Sequence, residues 1–142
     1  MISSSIRKLV RERASGCCEY CLSQEDFSPE RFSIEHIYPR SKGGSSNLEN
    51  LALSCQGCNN CKYTKTHACD PVTKEFVRLY HPRQDRWKDH FAWNEDYSIV
   101  VGLTLVGRAT VNALKLNRPG LMNLRRVLYQ VKIHPPGKYS GE

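Results

Sequence analysis

The 142-residue chain has no hydrophobic run long enough to span a bilayer. No apolar stretch follows Met1, where Ser3, Ser4, Ser5, Arg7 and Lys8 interrupt any secretory-leader pattern. These absences predict a cytoplasmic chain with no membrane partner. Internal repeats and low-complexity segments are also missing, which excludes a solenoid or a tail-like protein. Apolar residues make up 39% of the chain, so the core is thin and a metal staple would strengthen it. Acidic residues become scarce toward the C-terminus. Residues 97–142 hold seven Lys or Arg against one Asp or Glu, whereas residues 1–66 hold nine against seven. The net charge is +7, and most of that surplus lies in the last third. Such a field favours a polyanion through counterion release, although a solvated basic surface has the same composition.

Cysteine, by contrast, is plentiful, with seven in all. An odd number does not suit a fully disulfide-paired monomer, and in a reducing compartment Cys-x2-Cys marks a metal site or a redox pair. Cys18-Glu-Tyr-Cys21 and Cys55-Gln-Gly-Cys58 form two such units. Each is a tight turn that aims two sulfurs at one point, and together they form a four-thiolate cage of the structural-zinc type. A thioredoxin-like redox reading lacks its βαβ context. The register has a rival, because Cys58 and Cys61 are also spaced as a pair. Pairing Cys55 with Cys58 is preferred, since the rival would enclose Asn59 in the turn. Cys17, Cys61, His67 and Cys69 have no assigned role.

Between the cysteine pairs lie Glu35 and His36, then Asn50, with Asn59 directly after the last ligand. A carboxylate and an amide oxygen are hard donors that suit Mg2+, with Mn2+ as a substitute, and substrate phosphate completes the shell. Tyr63 stands one turn beyond Asn59, where a histidine would have invited a softer metal. His36 is then free to act as a general base. Both Glu35 and His36 can serve one site only if the strand ends or bulges there, because a regular pleat sends neighbours to opposite faces. Asn50 is placed to tie the 40–47 loop through side-chain to backbone bonds. Arg40, Lys42 and Lys62 are candidate phosphate contacts.

Hydrophobic periodicity places a helix from Ile2 to Arg13 and short strands around Phe32–His36 and Leu48–Leu53. A helix is expected from Asn59 to Thr66. Further on come a strand at Phe76–Tyr80, a helix at Gln84–Phe91 and a strand at Ile99–Leu103. Two helices then follow, capped by Thr104 and opened by Pro119. Residues 1–66 read as a metal module, and 67–142 as an extension packed on it. Arg108 and Lys115 share a face of the first of these helices; Arg118, Arg125 and Arg126 follow. All five are candidate DNA contacts. Trp87, Phe91, Trp93 and Tyr97 read as core.

Taken together, Cys18-Glu-Tyr-Cys21, Ile34-Glu-His-Ile-Tyr-Pro-Arg-Ser-Lys-Gly-Gly44, Asn47-Leu-Glu-Asn-Leu51 and Cys55-Gln-Gly-Cys-Asn59 with Lys62 resemble the HNH endonuclease family over residues 17–66. The resemblance implies an α+β chain with a ββα-metal (His-Me finger) core, an N-terminal helix and a mainly helical extension. It also implies hydrolysis of DNA phosphodiesters with one catalytic divalent ion and no organic cofactor. His36 matches the family's general base, Glu35 the acidic metal ligand, Asn50 the central asparagine, and the four cysteines the zinc ligands of many members. Asn59 matches the final family histidine, which makes this an HNN variant, and Glu35 stands where many members carry Asp. The competing reading is a catalytically silent, zinc-stabilised nucleic-acid-binding module.

Overall fold

The structure, a computed structural model, describes residues 2–137. Helix α1 spans Ser4–Arg13. The Ser3 hydroxyl accepts from the Ile6 amide at 3.2 Å and caps one of the orphan donors of its first turn. Arg11 and Arg13 in the last turn suit the negative end of the helix dipole. The chain then turns into the first cysteine knuckle, and Cys17 bridges to Gln24 to close it.

Strands β1 (Ser33–His36) and β2 (Leu51–Ser54) form an antiparallel pair in which Glu35 faces Ala52 and His36 faces Leu51. Every residue of β2 is buried, so this strand is the floor of the module. Helix α2 follows at Gln56–Lys62. A start at Asn59 was expected, but the helix begins three residues earlier because the knuckle is itself its first turn. The Cys55 sulfur caps that turn, accepting from the Cys58 amide at 3.4 Å. The helix ends at Tyr63, whose φ of 51° breaks the helical path well before Thr66.

The extension opens with a hairpin, β3 (His67–Cys69) and β4 (Phe76–Arg78). The expected helix at 84–91 is one turn only, α3 (Trp87–His90). Residues 81–85 form a separate turn instead. The Asp85 carboxylate accepts from the His81 amide, and His81 Nδ1 accepts from the amides of Arg83 and Gln84. Strands β5 (Phe91–Trp93) and β6 (Val100–Gly102) pair antiparallel. Two helices end the described chain, α4 (Leu105–Leu114), capped by Thr104, and α5 (Pro119–Gln130). No helix among the described residues is long and apolar enough to cross a membrane.

One apolar core runs through both parts. Val10, Tyr20, Leu51 and Leu53 share it with Tyr80, Trp87, Phe91 and Leu114. Polar ties reinforce the contact: the Trp87 indole donates to the Tyr20 carbonyl at 3.1 Å, and Arg83 pairs with buried Glu19. The Glu19 carboxylate also accepts from the Leu53 amide at 2.9 Å, fixing the knuckle against β2.

Candidate functional site

The first knuckle and the start of α2 bring Cys18, Cys21, Cys55 and Cys58 together, with all four sulfurs within 4.8 Å of one another and buried. The Cys21 and Cys55 sulfurs lie 3.7 Å apart. That separation matches the edge of a tetrahedron with metal–sulfur bonds of about 2.3 Å. Burial pushes the Cys18 thiol well above its ordinary range, and a bound cation would offset that cost. The donor set fits zinc. Cys61 lies outside the cluster, which resolves the register in favour of Cys55 and Cys58. The Cys17 thiol donates to the Ser15 carbonyl at 3.6 Å, Cys61 and Cys69 form no disulfide among the described residues, and the His67 ring stacks on Phe76.

A second site opens beside the cage. A surface cleft of about 310 Å³ is lined by Glu35, His36, Arg40, Asn59, Tyr63 and their neighbours. Glu35 and His36 both border the cleft, although β1 keeps its regular pairing with β2 through His36 and Glu35 lies on the buried side against Lys62. Asn59 in α2 and Tyr63 at its C-cap line the cleft, whereas Cys58 and Lys62, four apart, lie on the buried face of the helix.

His36 Nε2 lies 2.9 Å from the Ser46 hydroxyl. Partial burial, and then the positive charge of Arg40, hold its pKa below the ordinary imidazole value. The ring is therefore neutral over a wider pH range than a free histidine. Asn50 is buried and ties the loop at both ends. Its Oδ1 accepts from the Tyr38 amide at 2.8 Å, and its Nδ2 donates to the carbonyls of Tyr38 (3.0 Å) and Ser45 (2.7 Å). Ser46, the partner of His36, is the next residue. Gly44 closes the same loop, because a Cβ there would lie 1.8 Å from the Tyr38 carbonyl oxygen.

Glu35 is buried, and burial raises its pKa although Lys62 opposes the shift. Lys62 Nζ lies 2.6 Å from Glu35 Oε1 and donates to the Ile37 carbonyl at 2.8 Å. The Tyr20 hydroxyl faces the same carboxylate. Lys62 was expected at the phosphate backbone, but it is 2% exposed and is the buried counter-ion of Glu35. Removing it strands a carboxylate in low dielectric. Lys62→Met is thus expected to cost about 3 kcal/mol in urea unfolding. Adding Glu35→Leu should recover most of that loss, and a double variant as unstable as the single one would contradict the pairing.

The other basic candidates divide in two. Arg40, Lys42, Lys115 and Arg126 are exposed. The remaining three are committed inside the protein. Arg108 makes a two-pronged pair with buried Asp70 (2.9 and 2.8 Å), and Arg118 reaches the cysteine cage. Arg125 is 4% exposed and donates to the carbonyls of Ser98, Leu116 and Cys21. Helical periodicity put Arg108 and Arg125 outside, and the sequence placed Arg118 in the turn between their helices. Packing of α4 and α5 on the module turned them in, because each found acceptors there that the sequence does not display.

Residues 18–65 match the sequence model described as HNH endonuclease. That span is about a third of the chain and contains the whole cage and cleft, so the protein carries an HNH-type module with a ββα arrangement (β1, β2 and α2). The match supports nuclease activity or nucleic-acid binding in general. Comparison with curated proteins and with solved structures gives no match for either.

Proposed function

We propose that the protein is a metal-dependent DNA endonuclease that hydrolyses phosphodiester bonds at the cleft of Glu35, His36 and Asn59. The observation that carries the reading is their meeting in one cleft, beside a cage that fits zinc. Glu35 and Asn59 would hold Mg2+, or Mn2+ in its place. Both Glu35 oxygens are buried and Oε1 pairs with Lys62 Nζ at 2.6 Å, so a cation held there would compete with that ammonium. The bound ion supplies Lewis acidity toward the phosphate and charge for the leaving oxygen.

The protein's own residues do the rest. His36 accepts a proton from the attacking water. In the tautomer whose Nε2–H donates to the Ser46 hydroxyl, Nδ1 is left to take that proton. Asn50 is a positioning residue, holding the loop that carries Ser46. Arg40 and Lys42 flank the cleft and grip adjoining phosphates, with Lys115 and Arg126 adding basic charge farther out. The part up to residue 66 is the catalytic module, which the extension buttresses as far as residue 137, the last described residue.

Supercoiled plasmid incubated with the zinc-loaded protein tests the reading. Nicked or linear DNA should form with Mg2+ and not after the Mg2+ is chelated. Binding without cleavage would support the silent module instead, in which the Glu35–Lys62 pair serves structure alone.

The pH dependence carries its own sign. A base works when neutral, and His36 is neutral from below the usual imidazole range, so kcat/KM should rise with pH through a midpoint under about 6.5. Arg40→Gln removes a positive neighbour and should move that midpoint to higher pH. An unmoved acid limb would show that Arg40 does not act on His36.

A further inference from the structure

Arg118 and Arg125 are half-buried and buried cations in the extension, and neither forms an ion pair with a carboxylate among the described residues. A buried charge without a counter-charge is costly. Both lie against the same object. Arg118 Nη2 is 3.6 Å from the sulfurs of Cys55 and Cys58, and its Nη1 is 3.7 Å from Cys58. The same guanidinium is fixed from behind by the carbonyls of Leu114 (2.8 Å) and Lys115 (3.0 Å), at the end of α4. Arg125 donates to the carbonyl of Cys21 at 3.3 Å, so it backs the opposite knuckle.

Four thiolates around Zn2+ carry a net charge of −2, and two guanidiniums balance it. We propose that Arg118 and Arg125 are the counter-cations of a doubly negative zinc–tetrathiolate centre, so that the C-terminal segment helps to hold the metal bound by the module. The inference rests on zinc as the occupant of the cage and is independent of the nuclease reading of the cleft.

Gly57 gives independent support. It lies inside α2, between the two cage ligands of the second knuckle, where glycine weakens a helix. A Cβ there would come within 2.6 Å of Arg118 Nη2 and 2.8 Å of its Cζ. Glycine leaves the face of the knuckle open for the guanidinium to lie across it. The second knuckle is thus shaped for a cation that arrives from sixty residues further along the chain.

The test follows zinc and does not depend on cleavage. Full-length zinc-loaded protein is mixed with a chromogenic chelator, and zinc loss is timed for Arg118→Gln, Gly57→Ala, the double variant and Arg126→Gln. Outer partners of metal ligands are typically worth at least about tenfold in metal retention. Arg118→Gln and Gly57→Ala should each speed zinc loss by about that factor. The second change should do so although alanine favours the helix. The double variant should be no faster than Arg118→Gln, because both act on one contact. Arg126→Gln, whose side chain is exposed, should match the parent.

Cobalt-substituted protein adds a readout that loosened packing would not move. Hydrogen bonds to sulfur lower the energy of its donor electrons, so the sulfur-to-cobalt charge-transfer band should shift to longer wavelength in Arg118→Gln. If Arg118→Gln fails to fold, Gly57→Ala carries the test. Parental rates with an unmoved band would overturn the proposal, as would fully additive effects in the double variant. A parent protein that takes up no zinc would remove its premise while leaving the cleavage assay to judge the cleft separately.

Discussion

Replacing His36 with alanine is expected to lower the rate of plasmid cleavage by a factor of about 10² to 10⁴, the usual contribution of a positioned general base. The imidazole is held by Ser46 at 2.9 Å on a loop that Asn50 ties down, so it sits in a prepared orientation. It is also only partly buried and is not among the clustered metal-ligating residues. The truncated protein should therefore keep its zinc and its melting temperature within a few degrees. That combination is diagnostic, because a structural histidine would lose stability and activity together. DNA cut at the parental rate by His36→Ala would remove His36 from the mechanism, and with it the assignment of the cleft.

Zinc removal should act in the opposite way, on the fold first. A site of this donor type binds zinc with roughly 10 kcal/mol, while a whole domain is stable by only about 5–15 kcal/mol. Cys18, Cys21 and Cys58 are fully buried within the core cluster itself, among Tyr20, Leu51 and Leu53. Chelation, or Cys55→Ser, is thus expected to abolish the cooperative thermal transition seen by circular dichroism. Returning Zn2+ should restore it in the parent and not in Cys55→Ser. An unchanged melt after zinc removal would mean that the apolar core suffices without the cage. The contrast with His36→Ala separates a metal that builds the fold from a residue that uses it.

Several features were legible from residue type and spacing. The four cage cysteines, the Thr104 cap and the two strands β1 and β2 follow from local rules, and the structure realises each of them. The loop-tying bonds of Asn50 belong in the same group, since an asparagine in a polar return arm has few other partners. The length of α2 was misread because a knuckle turn and a helical turn present the same residues. The register of α2 was nevertheless available: Lys62 stands four residues after a buried ligand, which places it on the inner face and not toward DNA. Ser46 gave no signal beyond the polarity of its loop.

Short-range order along the chain set the metal chemistry, because ligand spacing and donor hardness are properties of neighbouring residues. The fate of the cations was decided at long range. Arg108, Arg118 and Arg125 looked alike as members of a basic tail, yet one meets Asp70, one meets two sulfurs and one meets a set of carbonyls. Those acceptors lie between 9 and 104 residues away, and for most of them only the packing of the extension on the module brings them close. A charge on a helix face exits to solvent or turns inward according to what the fold places opposite it, and helical periodicity carries no record of that.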